Sequence, residues 1–363
     1  MVGLVDGLSA EPKRVLVVRL GAIGDALRVL PAVRRLRIER PAVTIGWVVE
    51  NWVYPVLAGN PNVDCFHVLD RDALRGGPFS ALGEIWRRSR EIRAAQYDTV
   101  LDFHGRFKSG VVGWVSGAPT RIGYGRAHST EGNWRFTNLH VDLDDESENR
   151  VLRFLHLLQP LGIDAVFDPG ATGVYIDEGL RRRARAWYAS CRSPQLAVYP
   201  GSSRKQARHN RWPVHKWVDL LQRLAREGVT AVIFWGPDEG AYVRAIATQA
   251  GAAGVLAPAT TLSEMMAMLG CFEAFIGTNS AAMHMAWLQG VPTAMFSGPA
   301  PARTDAPMAP LPSRVLRARA HSRTGVSKRR QPEVVDAVSV DEALDAVRAL
   351  LRRAPDPRCR MVD

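Results

Sequence analysis

The stretch that decides the fold is Arg14-Val-Leu-Val-Val-Arg-Leu-Gly-Ala-Ile-Gly-Asp25, near the start of the chain. An apolar run of strand-forming residues leads into two glycines, and an aspartate then opens a segment with helical periodicity. This order predicts the first strand, turn and helix of an α/β sheet whose ligands bind at the carboxyl ends of the strands. Gly21 and Gly24 allow a tight turn and leave room for a ligand near the helix N-terminus.

Asp25 has two interpretations at this point. Its carboxylate would lie at the mouth of a ligand cleft, where it could take a proton from an attacking hydroxyl group. Alternatively, Asp25 is only the residue that caps the helix N-terminus. A dinucleotide-binding interpretation, with Glu50 as the ribose-binding acid, is weak because the glycine spacing is not GxGxxG.

Short β-branched runs alternate with helical patterns along the whole chain, and this alternation predicts an α/β protein with parallel sheets. The predicted strands are Arg14–Leu20, Val43–Val49, Phe66–Leu69, Thr99–Phe103, Gln195–Tyr199, Ala231–Trp235, Gly254–Leu256, Ala274–Ile276 and Thr293–Phe296. The predicted helices are Asp25–Arg37, Ser80–Ala95, Arg150–Leu161, Glu178–Cys191, Val214–Glu227, Ala241–Ala250, Leu262–Leu269, Ala281–Leu288 and Val338–Leu351. Because the pattern restarts in the second half, we expect two Rossmann-like domains with a cleft between them.

The domain break is expected in the stretch 164–177, which contains Gly, Pro and Asp residues. The predicted parts are a flexible tail at 1–12, an N-terminal domain at 13–175, a C-terminal domain at 176–335, and a final helix and tail at 336–363. We expect the final helix to pack back on the N-terminal domain. Residues 322–331 are predicted to form a basic loop.

The bulk composition excludes several classes of protein. The 363 residues are 47% hydrophobic and 23% charged, which is a globular composition. No apolar run approaches the ~20 residues that span a bilayer, and residues 1–12 lack the features of a secretory signal. The cysteines Cys65, Cys191, Cys271 and Cys359 lack metal-ligand spacing and indicate free thiols in a reducing cytoplasm. The net charge of +11 favours an anionic partner.

A second informative segment is Tyr199-Pro-Gly-Ser-Ser-Arg-Lys-Gln-Ala-Arg-His-Asn-Arg-Trp-Pro213. A predicted strand ends there in a Gly/Ser turn, and a basic loop follows. The loop offers a candidate diphosphate site made of Ser202, Ser203, Lys205, Arg208 and Arg211. Each cation taken singly is better explained as part of a solvated loop, but their shared position after a strand favours a binding site.

The third segment is Phe275-Ile-Gly-Thr-Asn-Ser-Ala-Ala-Met-His284. A predicted strand ends in small polar residues, and the first backbone N–H groups of the next helix are available to an anion. His284 lies one turn into that helix. A lone histidine is more often structural, but a position beside a phosphate-type turn makes it a ligand candidate.

In this order and spacing, the three segments resemble the ADP-heptose:lipopolysaccharide heptosyltransferases of glycosyltransferase family 9, over about Arg14 to Thr304. Supporting similarities lie at 41–50, at Asn60-Pro-Asn-Val-Asp64, and at Asp102-Phe-His-Gly-Arg-Phe-Lys-Ser109, which is similar to an Asp-x-x-Gly-x-x-Lys-Ser element of the family. The resemblance implies a GT-B fold, in which two Rossmann-like domains face each other across a cleft. It also implies inversion at the anomeric carbon, no metal and no cofactor.

The resemblance further implies roles for single residues. Asp25 matches the catalytic base, and Arg19, Gly24 and Lys108 match positions near the acceptor, in the N-terminal domain. The C-terminal domain would bind the donor nucleotide. The positions that match donor contacts are Ser202, Ser203, Lys205, Arg208 and Arg211 at the phosphates, Glu239 at the ribose, Thr260 at the adenine region, and Asn279, Ser280, Ala281 and His284 in an Asp-Thr/Ser-Gly-x-x-His element.

The chain departs from the family pattern at three positions. Asn279 replaces the usual Asp, Ala281 the usual Gly, and Asn210 the usual Lys. These departures leave open a transferase of the same fold that uses another nucleotide sugar or a soluble acceptor. A catalytically degenerate binding protein is a further alternative, but a pure binder has no need of Asp25.

The partners implied are a nucleotide sugar and an acidic or phosphorylated saccharide acceptor, such as the lipopolysaccharide inner core. We expect a cytoplasmic monomer that touches the anionic inner membrane weakly through Arg34, Arg35, Arg37 and Arg40. A solvated helix face is the alternative for these arginines. Nucleic acid is not expected, because the basic residues are spread over both halves and no known nucleic-acid-binding module is present.

Overall fold

The computed structural model describes residues 11–145, 147–191, 194–202, 211–298, 302–308, 312–317 and 335–352. The chain divides into two compact units, Met1–Tyr175 and Ile176–Asp363. Each unit contains a six-stranded sheet, and the strands of both sheets pair in parallel.

The first unit contains six strands and the helices that cover them. The strands are β1 (Arg14–Val18), β2 (Thr44–Glu50), β3 (Cys65–Leu69), β4 (Thr99–Asp102), β5 (Thr120–Tyr124) and β6 (Leu139–Val141). The α-helices are α1 (Ile23–Glu39), α2 (Arg71–Arg75), α3 (Pro78–Ala94), α4 (Phe107–Val115) and α5 (Arg150–His156), and short 3-10 helices lie at Tyr54–Val56, Asn133–Arg135 and Gln159–Leu161. The strand order in the sheet is β3-β2-β1-β4-β5-β6.

The second unit repeats this plan. Its strands are β7 (Pro194–Tyr199), β8 (Thr230–Ile233), β9 (Gly254–Leu256), β10 (Ala274–Thr278), β11 (Thr293–Phe296) and β12 (Ser313–Leu316). Its α-helices are α6 (Glu178–Ser190), α7 (Val214–Arg226), α8 (Gly240–Ala250), α9 (Leu262–Leu269), α10 (Ala281–Trp287), α11 (Ala302–Asp305) and α12 (Val340–Leu351), with a 3-10 helix at Gly251–Ala253. The strand order is β12-β11-β10-β7-β8-β9.

Both sheets have the strand order of the doubly wound Rossmann fold, so the predicted α/β class with two Rossmann-like sheets is confirmed. In each sheet the first strand has the second strand on one side and the fourth strand on the other. The order therefore reverses between β1 and β4 in one unit and between β7 and β10 in the other. A doubly wound sheet binds its ligands at the carboxyl ends of the strands at this point.

The central strands are apolar because helices cover both of their faces. Residues Val15 to Val18 of β1 are 0% exposed. In the second unit, Trp212 and Trp217 pack edge to face with ring centroids 5.1 Å apart, and both rings contact Phe296. Such aromatic pairs add about 0.5–1.5 kcal/mol each to the gain from burial alone.

The final helix α12 packs on the sheet of its own unit. Its residues Leu344, Val347 and Leu350 lie in the same core as Trp212, and the helix contacts α7, β10, β11 and β12. The Trp212 Nε1 also donates to the Val338 carbonyl at 3.0 Å. The expectation that this helix packs on the N-terminal domain is therefore wrong, because its apolar stripe covers the second sheet.

Several predicted features of the termini and loops fall on residues that are not described. These are most of the tail at 1–12, the basic loop at 322–331, and the end of the chain after residue 352. Cys65, Cys191 and Cys271 are free thiols, and burial raises the pKa of Cys271 to about 11. None of the described helices has the length and apolar character that a bilayer crossing requires.

Candidate functional site

The first group of polar residues lies at the reversal point of the first sheet, where β1 leads into α1. Asp25 is in the first turn of α1. The residue at the N-cap position is Ala22, and no side chain caps this helix end. Asp25 is therefore not the N-cap residue, and its carboxylate binds other side chains.

Those partners are three arginines. The Asp25 carboxylate accepts hydrogen bonds from Nη2 of Arg19 and Nη2 of Arg28, and from Nη1 of Arg150 at 3.4 Å. The Asp25 side chain is only 15% exposed, and Arg19 and Arg28 are below 10%, but Arg150 is 41% exposed. Three cations around one carboxylate favour its ionised form. The group is thus a fixed anion with one solvent-facing cation.

Arg19 belongs to the interior of this group. Its Nη1 donates to the Phe103 carbonyl at 2.8 Å. Burial lowers the pKa of Arg19, and the charge of Asp25 opposes that shift. Arg19 therefore positions Asp25 rather than presenting a cation to solvent.

The other two predicted acceptor residues lie near this group in different ways. Gly24 precedes Asp25, and its carbonyl accepts from Nε of Arg28 at 3.3 Å. Lys108 is near the start of α4, and its Nζ donates to the Leu74 carbonyl at α2.

His104 is a site residue that the sequence did not single out. It follows β4, next to β1, and its Nδ1 accepts the Leu20 N–H at 3.3 Å. Burial, Arg19 and Arg106 together lower its pKa to about 3. The imidazole is therefore neutral at physiological pH, and its ring proton is on Nε2, which makes Nε2 a hydrogen-bond donor. Its position directly after a predicted central strand could have identified it from the sequence.

The loop that carries His104 is fixed by Asp102. One carboxylate oxygen accepts the backbone N–H groups of His104 and Gly105. The other accepts from Ser109 Oγ at 2.9 Å and Asn133 Nδ2 at 2.7 Å. Burial raises the pKa of Asp102, while these bonds oppose the rise. The Asp and Ser of the Asp-x-x-Gly-x-x-Lys-Ser element thus support the shape of the loop.

The second group of polar residues lies at the reversal point of the second sheet, after the neighbouring strands β7 and β10. Ser202 is 3% exposed, and Ser280 precedes Ala281, the first residue of α10. The hydroxyl oxygens of Ser202 and Ser280 are buried, and neither has a hydrogen-bond partner within the described residues. A buried hydroxyl without a partner costs about 1–3 kcal/mol. Both hydroxyls lie at the same edge of the sheet and are candidates for hydrogen bonds to a ligand.

Of the cations predicted for the phosphate loop, Arg211 lies within the residues that the structure describes. Its Nη2 donates to the Ser202 carbonyl at 3.3 Å, and its guanidinium lies 4.9 Å from the ring centre of Tyr242. Ser203, Lys205 and Arg208 lie outside the described residues.

Glu239 is held tightly beside β7. Its Oε2 accepts the Tyr199 hydroxyl at 3.0 Å and the Gly236 N–H at 2.6 Å. A Cβ at Gly201 would lie 2.6 Å from the Glu239 side chain, and one at Gly236 would lie 2.7 Å from it. A larger residue at either position would therefore displace the Glu239 side chain. Among the described residues both bonds use Oε2, so Oε1 can accept from a ligand hydroxyl.

Asn279 is paired with a carboxylate that the sequence did not predict. Its Nδ2 donates to Oδ2 of Asp305, in α11, at 3.0 Å, and Asp305 is 8% exposed. An acidic group is therefore present at the position where Asn279 departs from the family's Asp. His284 is buried, and its Nδ1 accepts the Trp287 indole N–H at 3.0 Å, which places the ring proton on Nε2.

Thr260 lines a cavity of about 200 Å³ between α6 and α9. Leu180, Arg183 and Trp187 of α6 form one wall, and Met268 of α9 contributes to the other. The cavity follows β9, at the same edge of the sheet as Ser202 and Ser280, since the strands are parallel. Its walls are mostly apolar.

The described residues contain no group of three or more His, Cys, Asp or Glu side chains that could hold a metal ion. The absence of a metal requirement stays a prediction. Taken by itself, the first unit holds the Asp25 carboxylate among arginines. The second unit has two buried hydroxyls, one arginine and two hydrogen-bonded carboxylates at the edge of its own sheet.

The chain is similar to known glycosyltransferases. The family model "Glycosyltransferase family 9 (heptosyltransferase)" matches residues 85–333. The chain is 26% identical to lipopolysaccharide heptosyltransferase 1 of Pseudomonas aeruginosa, over 79% of each protein. The solved family 9 glycosyltransferase of Veillonella parvula aligns with a TM-score of 0.80 at 22% identity, over 96% of this chain and 100% of that chain.

A second solved structure is the E. coli heptosyltransferase WaaC with ADP-2-deoxy-2-fluoro heptose. It aligns with a TM-score of 0.71 at 18% identity, over 93% of this chain and 99% of that chain. At these identities the likeness shows the fold, and the GT-B prediction is confirmed. Because the family model covers more than half of the chain, the protein belongs to glycosyltransferase family 9, the heptosyltransferase family, and is a glycosyltransferase.

Proposed function

We propose that the protein transfers heptose from ADP-heptose to an acidic saccharide such as the lipopolysaccharide inner core, with inversion at the anomeric carbon. The observation that carries this proposal is the clamped carboxylate of Asp25 at the reversal point of the first sheet. The heptosyltransferase names of the relatives support the choice of sugar and acceptor, and the ADP-sugar in a solved relative supports the choice of donor.

Asp25 is the general base in this mechanism. As the acceptor oxygen attacks the anomeric carbon, the bond from that carbon to the diphosphate oxygen breaks. The bonding electron pair leaves with ADP, and the hydroxyl proton passes to the Asp25 carboxylate. Arg19 and Arg28 keep the carboxylate ionised and aimed, but neighbouring cations also reduce its basicity.

Arg150 resolves this conflict in the proposed mechanism. It is the most exposed of the three arginines and makes the longest bond to Asp25, at 3.4 Å. An anionic group on the acceptor would attract Arg150 away from Asp25 when it binds. Asp25 then becomes more basic only when the acceptor is in place, so water is less readily activated in its absence.

The second unit would bind the donor. The hydroxyls of Ser202 and Ser280 would complete their hydrogen bonds on the diphosphate, with Arg211 adding positive charge. Glu239 would accept from the ribose, and the cavity beside Thr260 would hold the adenine ring. Lys205, Arg208 and Ser203 remain part of the proposed phosphate site. Fixed positive charge would take the part that a metal plays in other transferases.

Asp305 would supply the carboxylate for the donor sugar. Its hydrogen bond to Asn279 fixes it at the end of β10. The amide of Asn279 both donates and accepts hydrogen bonds, so the pair offers the charge of a carboxylate with the amide as an additional contact. Asp305 of α11 would thereby supply the carboxylate that Asn279 lacks.

A transferase of the same fold with another nucleotide sugar is the second candidate. The observation that favours this candidate is the Asn279–Asp305 pair, because an amide with a carboxylate presents a different hydrogen-bond pattern to the sugar than a single Asp does. The experiment that separates the two is calorimetric binding of ADP-heptose, ADP, and the UDP and GDP sugars. Tightest binding of ADP-heptose supports heptose transfer, while preference for another sugar would retain Asp25 as base and discard heptose.

The role of Asp25 is tested with Asp25→Asn, which removes the base and keeps the shape of the side chain. We expect transfer to fall by about 100- to 10,000-fold while ADP binding in the second unit is retained. Asp144→Asn, an exposed substitution in the same unit, is the control. Equal loss of transfer and of ADP binding would contradict a catalytic role. In this proposal the protein acts as a monomer at the cytoplasmic face of the inner membrane.

A further inference from the structure

An exposed apolar face lies on two neighbouring helices of the first unit. On α3, Phe79 is 89% exposed, Leu82 is 46% exposed and Trp86 is 69% exposed; on α4, Phe107 is 45% exposed and Trp114 is 58% exposed. The spacing of three, four and seven residues puts these side chains on one side of each helix. Exposed apolar side chains of this size on two neighbouring helices mark an interaction surface. We refer to these five residues as the apolar face.

The two helices are fixed to each other and to the unit. α3 contacts α4 directly, and Nε of Arg93 on α3 donates to the Val115 carbonyl at the end of α4 at 2.7 Å. The opposite side of α3 is buried in the core through Ala81, Ile85 and Ile92. The apolar face therefore cannot turn inward without unpacking the helix.

Positive charge borders the apolar face. Arg75 at the end of α2 and Arg90 on α3 are exposed, and neither makes an ion pair within the described part of the chain. Arg87 and Arg106 are also exposed, although each has an acidic partner. The chain as a whole carries a net charge of +11.

The acidic side chains of Glu84, Glu91 and Glu131, next to the apolar face, are paired with arginines. Glu84 is 5% exposed and is bonded to Arg87. Glu91 is engaged by Arg88 and by His67. Because Arg75 and Arg90 make no ion pair within the described residues, the border of the apolar face has an excess of positive charge, which favours an anionic surface as partner.

The arginines of α1 do not offer such a surface. Arg34 donates to Asn62 at 3.1 Å, Arg35 pairs with Glu39 at 2.9 Å, and Arg37 pairs with Asp64 at 2.6 Å. Arg40 donates to the Leu161 carbonyl at 3.1 Å. These side chains hold the first unit together, so the membrane contact expected from the sequence has a better candidate on α3 and α4.

We propose that the apolar face docks on the headgroup region of an anionic lipid bilayer. Trp and Phe side chains favour the membrane–water interface, and adjacent arginines attract anionic lipid headgroups. The helices would lie on the surface without crossing it. A second copy of the chain is a poorer occupant, because pairing two such faces brings Arg75 and Arg90 of both copies together. The inference does not depend on the donor or on Asp25.

The test is sedimentation of the full chain with vesicles. We expect binding to vesicles of about one third phosphatidylglycerol in phosphatidylcholine, weaker binding to pure phosphatidylcholine, and weaker binding at high salt. The double variant Trp86→Ser with Trp114→Ser should bind at least about tenfold more weakly. The variant Arg75→Gln with Arg90→Gln should lose the preference for anionic vesicles.

Matched controls are Val255→Ser, which removes a 51% exposed apolar side chain from the second unit, and Arg226→Gln at the end of α7. Both should bind vesicles as the parent does, and all variants should keep the parent's melting temperature and ADP affinity. Unchanged vesicle binding by the tryptophan variant would overturn the proposal, and so would equal binding to neutral vesicles. A dimer that the tryptophan variant abolishes, without vesicle binding by the parent, would assign the face to a second copy instead. If the parent does not bind ADP, the proposed function is contradicted, and the proposal of membrane docking is still decided by the vesicle experiment.

Discussion

The guanidinium of Arg19 and the carboxylate of Asp25 form a buried ion pair at the end of β1, and Arg19 is itself tied to the Phe103 carbonyl after β4. The pair thus connects the two strands between which the sheet order reverses. The Phe103 carbonyl, just after β4, holds the Arg19 guanidinium, and Arg19, just after β1, in turn holds the Asp25 carboxylate. Contacts of residues that follow these two strands therefore fix the position of the carboxylate.

We expect Arg150→Gln to weaken binding of the acceptor more than binding of the donor. The substitution removes the cation that an anionic acceptor would attract, and a hydrogen bond to a charged group contributes about 1.5–3 kcal/mol. The acceptor KM should rise by about 10- to 100-fold, while ADP-heptose affinity stays within about twofold. Arg150→Lys should restore part of the effect. Arg153→Gln, on the same helix with its guanidinium over the Tyr124 ring, is the control, and a loss of equal size there would contradict the assignment.

We expect Asp305→Asn to weaken binding of ADP-heptose by about tenfold and to leave ADP affinity unchanged. The reason is that the carboxylate next to Asn279 would contact the sugar and not the nucleotide. Calorimetry with the two ligands measures the difference directly. Asp336→Asn, which removes a carboxylate paired with Lys216, provides the comparison. If ADP and ADP-heptose lose affinity in parallel, Asp305 acts on the fold and not on the sugar.

We expect Ser202→Ala to keep or slightly raise stability while it weakens ADP binding. The hydroxyl that is removed is buried without a partner, and such a group costs about 1–3 kcal/mol. ADP affinity should fall by about five- to tenfold, and Ser280→Ala should behave in the same way. Thermal melting and calorimetry measure the two effects. Ser109→Ala is the opposite control, because its hydroxyl bonds to Asp102 and its loss should destabilise without changing ADP affinity.

We expect the protein to lose stability as the pH falls from 6.5 toward 3, partly through His104. The pKa of His104 is lowered from 6.5 to about 3 in the folded chain, so in this window the unfolded chain binds a proton that the folded chain does not. Stability from this residue is complete above pH 6.5 and declines below it. His104→Asn should flatten the melting temperature against pH. His67, whose pKa burial also lowers, keeps part of the slope.

The control for the pH dependence is His215→Gln, an exposed position on α7. Its profile should follow that of the parent. A profile for His104→Asn that is as steep as the parent's would show that His104 is accessible to protons in the folded state.

The central strands were predictable because helices on both sides select continuous apolar runs. The bounds predicted for the central strands β1, β4, β7 and β10 lie within two residues of those observed. The edge strand β9, Gly254–Leu256, was also predicted with its observed bounds. The outer strands β5, β6 and β12 were missed, since Arg121, His140 and Arg314 interrupt their apolar pattern. Strands near a sheet edge have a face toward solvent and tolerate such residues.

Helix α4 was missed for a different reason. Gly110 and Gly113 lower its helix propensity. At Gly110, however, a Cβ would lie 2.6 Å from the Phe136 ring, so the packing of the unit requires a glycine there. A local pattern cannot reveal a requirement that comes from a neighbouring segment.

The same distinction applies to the candidate site. Asp25, Ser202 and Asn279 follow strands, and their positions were visible in the sequence. Arg150 is 125 positions from Asp25 and Asp305 is 26 positions from Asn279, so only the folded chain shows that they are partners. The residues that complete each carboxylate site come from helices outside the motifs.

Because α12 packs on the sheet of its own unit, the second unit can be exchanged between related genes as a single segment. Within the described residues the chain passes from one unit to the other once, between Tyr175 and Ile176, and the final described helix packs on the sheet of the second unit. Every proposed donor contact, from Ser202 to Asp305, is therefore encoded in one uninterrupted segment. A single recombination near that junction would exchange the entire donor site, core and closing helix included, while Asp25 and its arginines stay with their original sheet. Donor and acceptor preferences in such a chain are free to diversify separately.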